Sequence, residues 1–74
     1  MKTHVCEEDI FYDKHYKYYY MIVGRDGPLV KALIISDSPT SSLYRIGDVY
    51  TFAEEMILCD RFITSKAGTD EKEQ

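Results

Sequence analysis

The chain holds 74 residues, with 45% hydrophobic and 30% charged side chains, a mixture that builds one small globular domain. That length leaves no room for a deep cleft or a lid. It excludes a large multi-substrate enzyme and a Rossmann dinucleotide binder, whose units need more chain. A net charge of −4 and a pI near 5.0 argue against a general binder of nucleic acid or anionic membrane, which needs Lys and Arg to displace counterions.

No apolar run approaches the ~18 residues of a membrane helix. Residues 1–9 lack the apolar core of a secretory leader. A cytoplasmic location without membrane attachment is expected. There Cys6 and Cys59 are expected as free thiols that serve as small buried hydrophobes.

A short first strand is expected around residues 2–6, followed by a charged loop over 7–14. His15–Val23, His-Tyr-Lys-Tyr-Tyr-Tyr-Met-Ile-Val, reads as a strand because its residues are mostly aromatic or β-branched. Alternation puts Tyr16, Tyr18, Tyr20 and Ile22 on one face and Lys17, Tyr19, Met21 and Val23 on the other. Both faces are substantially apolar. One buries the core, and the other is covered or exposed as a tyrosine surface. Gly24-Arg25-Asp26-Gly27-Pro28 reads as a turn, and Leu29–Ile35 as the second arm of a hairpin. Residues 37–42 form a polar loop. Gly47-Asp48 marks a turn or bulge before a strand over 48–52.

Residues 53–64 fit two patterns. As a strand they alternate Ile57, Cys59, Arg61 and Ile63 against Leu58, Asp60 and Phe62. As a helix they start from a Thr51–Glu54 capping box and place Phe52, Met56, Cys59 and Ile63 in one stripe. Residues 1–65 are expected to form the single domain. Residues 66–74, where Asp70, Glu71 and Glu73 outweigh Lys72, read as a disordered acidic tail.

No constellation calls for a metal or cofactor. His4, Cys6, His15 and Cys59 lack the paired spacing of a zinc site. The apolar setting Met56-Ile57-Leu58-Cys59 is wrong for a reactive thiolate. Gly24 and Gly27 lack the remainder of a phosphate-binding loop. Glu7-Glu8-Asp9 and Glu54-Glu55 read as solvated surface, or as an acidic patch for a basic partner.

The tyrosines are the unusual feature. Seven of the ten aromatic residues are Tyr. Such rings serve as sheet packing, as anchors at a protein interface, or as stacking platforms for single-stranded nucleic acid. In that last role Lys14, Lys17, Arg25 and Lys31 would supply the charge.

The expected fold is a mostly β, antiparallel partial barrel of four or five strands, SH3-like or OB-like. The alternative is an α+β sheet with one short helix near 52–64. The expected role is a non-enzymatic module that binds a larger host or cellular protein as an adaptor or inhibitor. Partner contacts are expected at Tyr16, Tyr18, Tyr20, Glu54 and Glu55, and a sheet edge offers a route to homo-oligomers. Small acidic stand-alone proteins are frequent products of phage and mobile-element genomes, which suggests that source. The alternative role is a single-stranded nucleic-acid-binding barrel that uses the Tyr-rich strand. Deleting 66–74 is expected to leave the melting temperature unchanged in a thermal melt; a large drop would show that the tail docks on the domain.

Overall fold

Residues 18–26, Tyr-Tyr-Tyr-Met-Ile-Val-Gly-Arg-Asp, form the longest strand of the molecule because aromatic and β-branched side chains pack well on a pleated surface. The computed structural model describes residues 3–66. Its strands are β1 (Asp9–Asp13), β2 (Tyr18–Asp26), β3 (Leu29–Ile34), β4 (Val49–Ala53) and β5 (Arg61–Ser65). A single helical turn, α1 (Glu54–Ile57), joins β4 to β5. The strands form one sheet in the order β4-β3-β2-β1-β5, with every pair antiparallel. β1 to β4 make a meander, and β5 returns to the free side of β1. The sheet is open, with β4 and β5 as its edges, so the architecture is a mostly β partial barrel.

Two bulges bend it. Val23 is the extra residue where the β2–β3 register shifts, and Ile63 the extra residue where β5 pairs β1. A bulge bends its strand and increases the local twist. The bent sheet wraps a core of Phe11, Tyr18, Tyr20, Ile22, Val30, Ala32 and Ile34, closed by Val5 and Ile57.

Several boundaries differ from the sequence reading. Residues 3–6 form no strand, and residue 2 of the expected one lies outside the described residues; among the described residues the first strand lies at Asp9–Asp13. Its flanking acids made the segment look like a loop. Asp9 instead folds its side chain back on the chain, where its carboxylate accepts the Cys6 N–H at 2.9 Å. The second strand starts at Tyr18 rather than His15. Asp13 holds residues 14–17 in a turn, its carboxylate accepting the N–H of His15 at 2.8 Å and of Tyr16 at 3.1 Å. Such local side-chain bonds compete with a ladder and override strand propensity. The strand then runs through Gly24 to Asp26, and the turn shrinks to Gly27-Pro28. Gly27 has a φ of +63°, in the left-handed region that favours glycine.

Residues 53–64 are neither one strand nor one helix. Four residues turn as α1, and β5 follows. The capping box does not form: the N-cap is Ala53, with no side-chain cap bond. Of the proposed helical stripe, Met56 and Cys59 are exposed, while Ile57 plugs the core. Both cysteines are free thiols, but both are exposed, so the buried role expected of them is wrong. Of the expected tail only Lys66 is described. Its N–H donates to the Glu8 carbonyl at 3.1 Å; the rest of that segment lies outside the described residues. Among the described residues no helix is long and apolar enough to cross a membrane.

The core residue Ile22 is 1% exposed. Ile22→Ala should cost about 2–5 kcal/mol through lost transfer energy and the cavity left behind, read as a shift in the denaturant midpoint. Gly27→Ala meets open space, yet should cost about 1–2 kcal/mol from its positive φ alone.

Candidate functional site

Tyr18 and Tyr20 are each 1% exposed and belong to the core. Neither forms the open partner surface expected of them. Register decides this. Tyr20 opposes Phe11 on β1 and Ile34 on β3, so alternation sends Tyr18, Tyr20 and Ile22 inward together. Tyr16, outside the strand, stays half-buried.

What these rings build is a pocket. At the end of the sheet where β1 stops and β2 starts, Tyr16, Tyr18, Tyr20 and Tyr44 line a half-open cavity of about 160 Å³. Asp13 and Asp60 face into it, with Phe52, Met56 and Ile57 completing the wall. Tyr44 stacks on Tyr18 with centroids 4.5 Å apart and rings 8° from parallel. Tyr16 meets Tyr44 at 5.1 Å, and Tyr18 meets Tyr20 at 5.7 Å. Offset and tilted pairs of this kind contribute beyond simple area burial.

The loop over 35–48 delivers Tyr44. Ser38 donates its hydroxyl to the Tyr16 carbonyl and its N–H to the Tyr44 carbonyl at 2.9 Å. The Tyr50 hydroxyl donates to the carbonyl of Leu43, beside Tyr44. The polar loop is thus a clamp that fixes one ring of the pocket.

Carboxylates stand beside the phenols. The Tyr20 hydroxyl donates to Asp60, and Tyr18 lies within reach of the Asp13 charge. Burial first, and then these carboxylates, push both phenols above their ordinary pKa of 10.0. Asp60 is itself raised, mainly by burial, with the charge of Asp13 adding and the Tyr20 bond opposing. Among the described residues neither carboxylate forms a salt bridge.

Glu54 and Glu55 do not act as a pair. Glu54 accepts from Arg25 at 2.7 and 3.2 Å and from the Val5 N–H at 2.9 Å. The Arg25 bonds first, then the Val5 N–H, lower its pKa to about 2. Arg25 also donates to the Val5 carbonyl at 2.7 Å. This latch ties α1 and the N-terminal segment to β2, so Glu54 is structural and only Glu55 stays exposed. Arg25 is thereby taken from the basic cluster, and Lys31 lies on the opposite face of the sheet. The basic residues therefore do not line the tyrosine face alone, while Asp13 and Asp60 do flank it.

The opposite face carries the second feature. Thr64, Ile10, Met21, Leu33 and Val49 pair in register across all five strands. Val49 is 55% exposed, and Val23, Tyr19 and Ile63 are each 41% exposed. Tyr12 packs on Tyr19 beside this row at 4.7 Å. Lys31 and Arg61 are the basic residues of this face. An antiparallel sheet usually turns polar side chains outward; this one turns apolar side chains outward.

Among the described residues no group of three or more His, Cys, Asp or Glu could hold a metal. Comparison with known proteins finds no matching family, no matching curated protein and no matching solved structure.

Sequence reasoning did not single out Asp13, Tyr44 or Asp60. The one local signal was the Asp13–Tyr16 spacing of an Asp-initiated turn. Tyr44 and Asp60 reach the pocket through long-range folding that leaves no local trace.

Two pH profiles follow. Glu54 is depressed in the fold, so its contribution is full above its ordinary 4.5 and lost as pH falls to about 2. Denaturant midpoints should fall more steeply across that window in the wild type than in Glu54→Gln. Tyr18 and Tyr20 are raised, so their contribution is full below pH 10.0 and lost as pH climbs above it. Tyrosinate absorbance should rise in two stages, the second coinciding with loss of the β signal in circular dichroism.

Proposed function

We propose that this protein is a small non-enzymatic binding module that docks on a larger protein, as an adaptor or an inhibitor. The observation that carries this reading is the apolar row Ile10-Met21-Leu33-Val49 on the outward face of the sheet, half-buried along its first three residues and open at Val49, with the exposed Tyr19, Val23 and Ile63 beside it. Exposed apolar surface costs solubility, and contiguous patches mark places where a partner docks. Tyr12 and Tyr19 beside the row are the rigid, amphipathic rings that dominate protein interfaces.

The partner surface that fits is apolar with an acidic rim, to meet Lys31 and Arg61. The cytoplasm suits the module, because its two exposed cysteines are free thiols. A phage or mobile-element source accords with its size and acidity. The nucleic-acid alternative is less well supported. With Arg25 held by Glu54 and two carboxylates beside the tyrosine pocket, few cations remain to neutralise phosphates.

The test is affinity capture with wild type, Met21→Glu and Leu33→Glu, each checked for amide dispersion, together with light scattering of the free protein. The expected result is a monomer whose captured partner is lost on both substitutions while the fold persists. A dimer that Leu33→Glu dissociates would replace the larger partner with a second copy of the chain. Shifts on adding a single-stranded oligonucleotide that fade with salt would install the alternative instead.

A further inference from the structure

We infer that the tyrosine pocket is a receptor for an arginine side chain presented by the partner protein. This rests on the protein-binding reading, but it uses a different face of the molecule and is tested without the partner.

The pocket offers aromatic surface and negative charge together. Its accessible aromatic walls are the half-buried rings of Tyr16 and Tyr44, standing over the buried Tyr18 and Tyr20, and its charged groups are two carboxylates, Asp13 and Asp60. An anion is refused by both. A purely apolar ring would strip water from the carboxylates without supplying a counter-charge, which is costly. A cation satisfies them. Organic cations also bind over aromatic faces, where the ring quadrupole attracts positive charge. The pocket therefore selects a group that is at once positive and able to lie on a ring.

Guanidinium fits better than ammonium. It is planar, stacks on aromatic faces, and spreads five N–H donors around its rim. Asp13, at the end of β1, and Asp60, just before β5, approach one pocket from two sides, so donors spread around a flat group can serve carboxylates on both sides while its plane lies on a ring, which a compact ammonium cannot do. Size agrees. A protein cavity of about 150 Å³ admits a benzene ring, and the pocket measures about 160 Å³.

The pocket's own neighbourhood does not already supply the cation. Lys14 exerts a favourable charge on Asp60 from a distance, yet among the described residues no salt bridge reaches Asp13 or Asp60. Burial chiefly, and to a lesser extent the charge of Asp13, push the Asp60 carboxyl above its ordinary pKa. A bound guanidinium relieves that repulsion, so the interaction is stronger than a single surface ion pair.

The experiment is an amide NMR titration of the full chain with the blocked tripeptide acetyl-Gly-Arg-Gly-amide. The lysine and citrulline versions serve as matched probes. Expected are saturable shifts confined to residues 13–18, 44 and 56–60, with a millimolar Kd, weaker shifts with lysine and none with citrulline. Asp60→Asn and Asp13→Asn should each weaken arginine binding about tenfold, the loss of one charge-assisted contact. Both keep an acceptor oxygen for the Tyr20 hydroxyl or the 13–16 turn. Tyr44→Leu carries the test should either carboxylate variant fail to fold. Met21→Glu should leave the titration unchanged. Equal shifts with citrulline, or no saturable shifts with arginine, overturn the proposal. Tighter binding of the lysine peptide overturns the assignment to guanidinium. A loss of arginine binding leaves the docking face untouched, and partner capture judges that face separately.

Discussion

A tyrosine in a core brings a hydroxyl with it, and the fold is organised around that constraint. Tyr18 and Tyr20 are the largest fully buried side chains. Their rings supply the apolar bulk that so short a chain needs, packing on Phe11, Phe52 and Tyr44. A buried hydroxyl without a partner would cost roughly 1–3 kcal/mol. The hydroxyl of Tyr20 therefore meets Asp60, and Tyr18 is buried beside the charge of Asp13. Burying these tyrosines thus places two carboxylates at the mouth of the core, and the pocket is the result. In this way a solution to a packing problem also brings carboxylates and aromatic rings together at one opening.

The remaining elements hold that arrangement in place. Asp13 orders the 14–17 turn through its carboxylate and sets its charge beside Tyr18. On the far side of the sheet end, Arg25, Glu54 and the backbone of Val5 form the latch that fixes α1. The Glu54 N–H donates to the Pro28 carbonyl at 3.1 Å, joining the same junction to the β2–β3 turn. With α1 fixed, Ile57 reaches the core and Asp60 arrives beside Tyr20. A four-residue helix has little stability of its own; here it is a corner piece held by long-range bonds.

The two faces of the sheet then differ in kind. The concave face is dense, aromatic and acidic at its mouth. The convex face is an apolar row with cations at its sides. A sheet with only one buried face would normally alternate apolar and polar along each strand. β2 departs from this, with Tyr19, Met21 and Val23 opposite Tyr18, Tyr20 and Ile22. Its neighbours do the same with Ile10, Leu33 and Val49. Such a pattern leaves apolar side chains at the surface at the expense of solubility, and the charged rim offsets part of that cost.

The sequence by itself determined the fold class and the central hairpin, because β-branched and aromatic runs between glycine-rich turns are local signals. It also showed that both faces of the 18–23 segment are apolar, from period-two alternation alone. It did not tell which of those faces is the core. A strand's two faces are equivalent until its neighbours are known, and the pairing of Tyr20 with Phe11 and Ile34 turned the expected tyrosine surface inward. The first strand was hidden because Asp9 and Asp13 bracket it, and their bonds to nearby N–H groups appear only once the chain turns. Residues 53–64 carried both periodicities because they contain both elements. Tertiary structure alone decided that Glu54 would pair with Arg25, 29 residues away, and that Asp60 would accept from Tyr20, 40 residues away. Those contacts depend on where the sheet brings distant strand ends together, and no local pattern encodes that position.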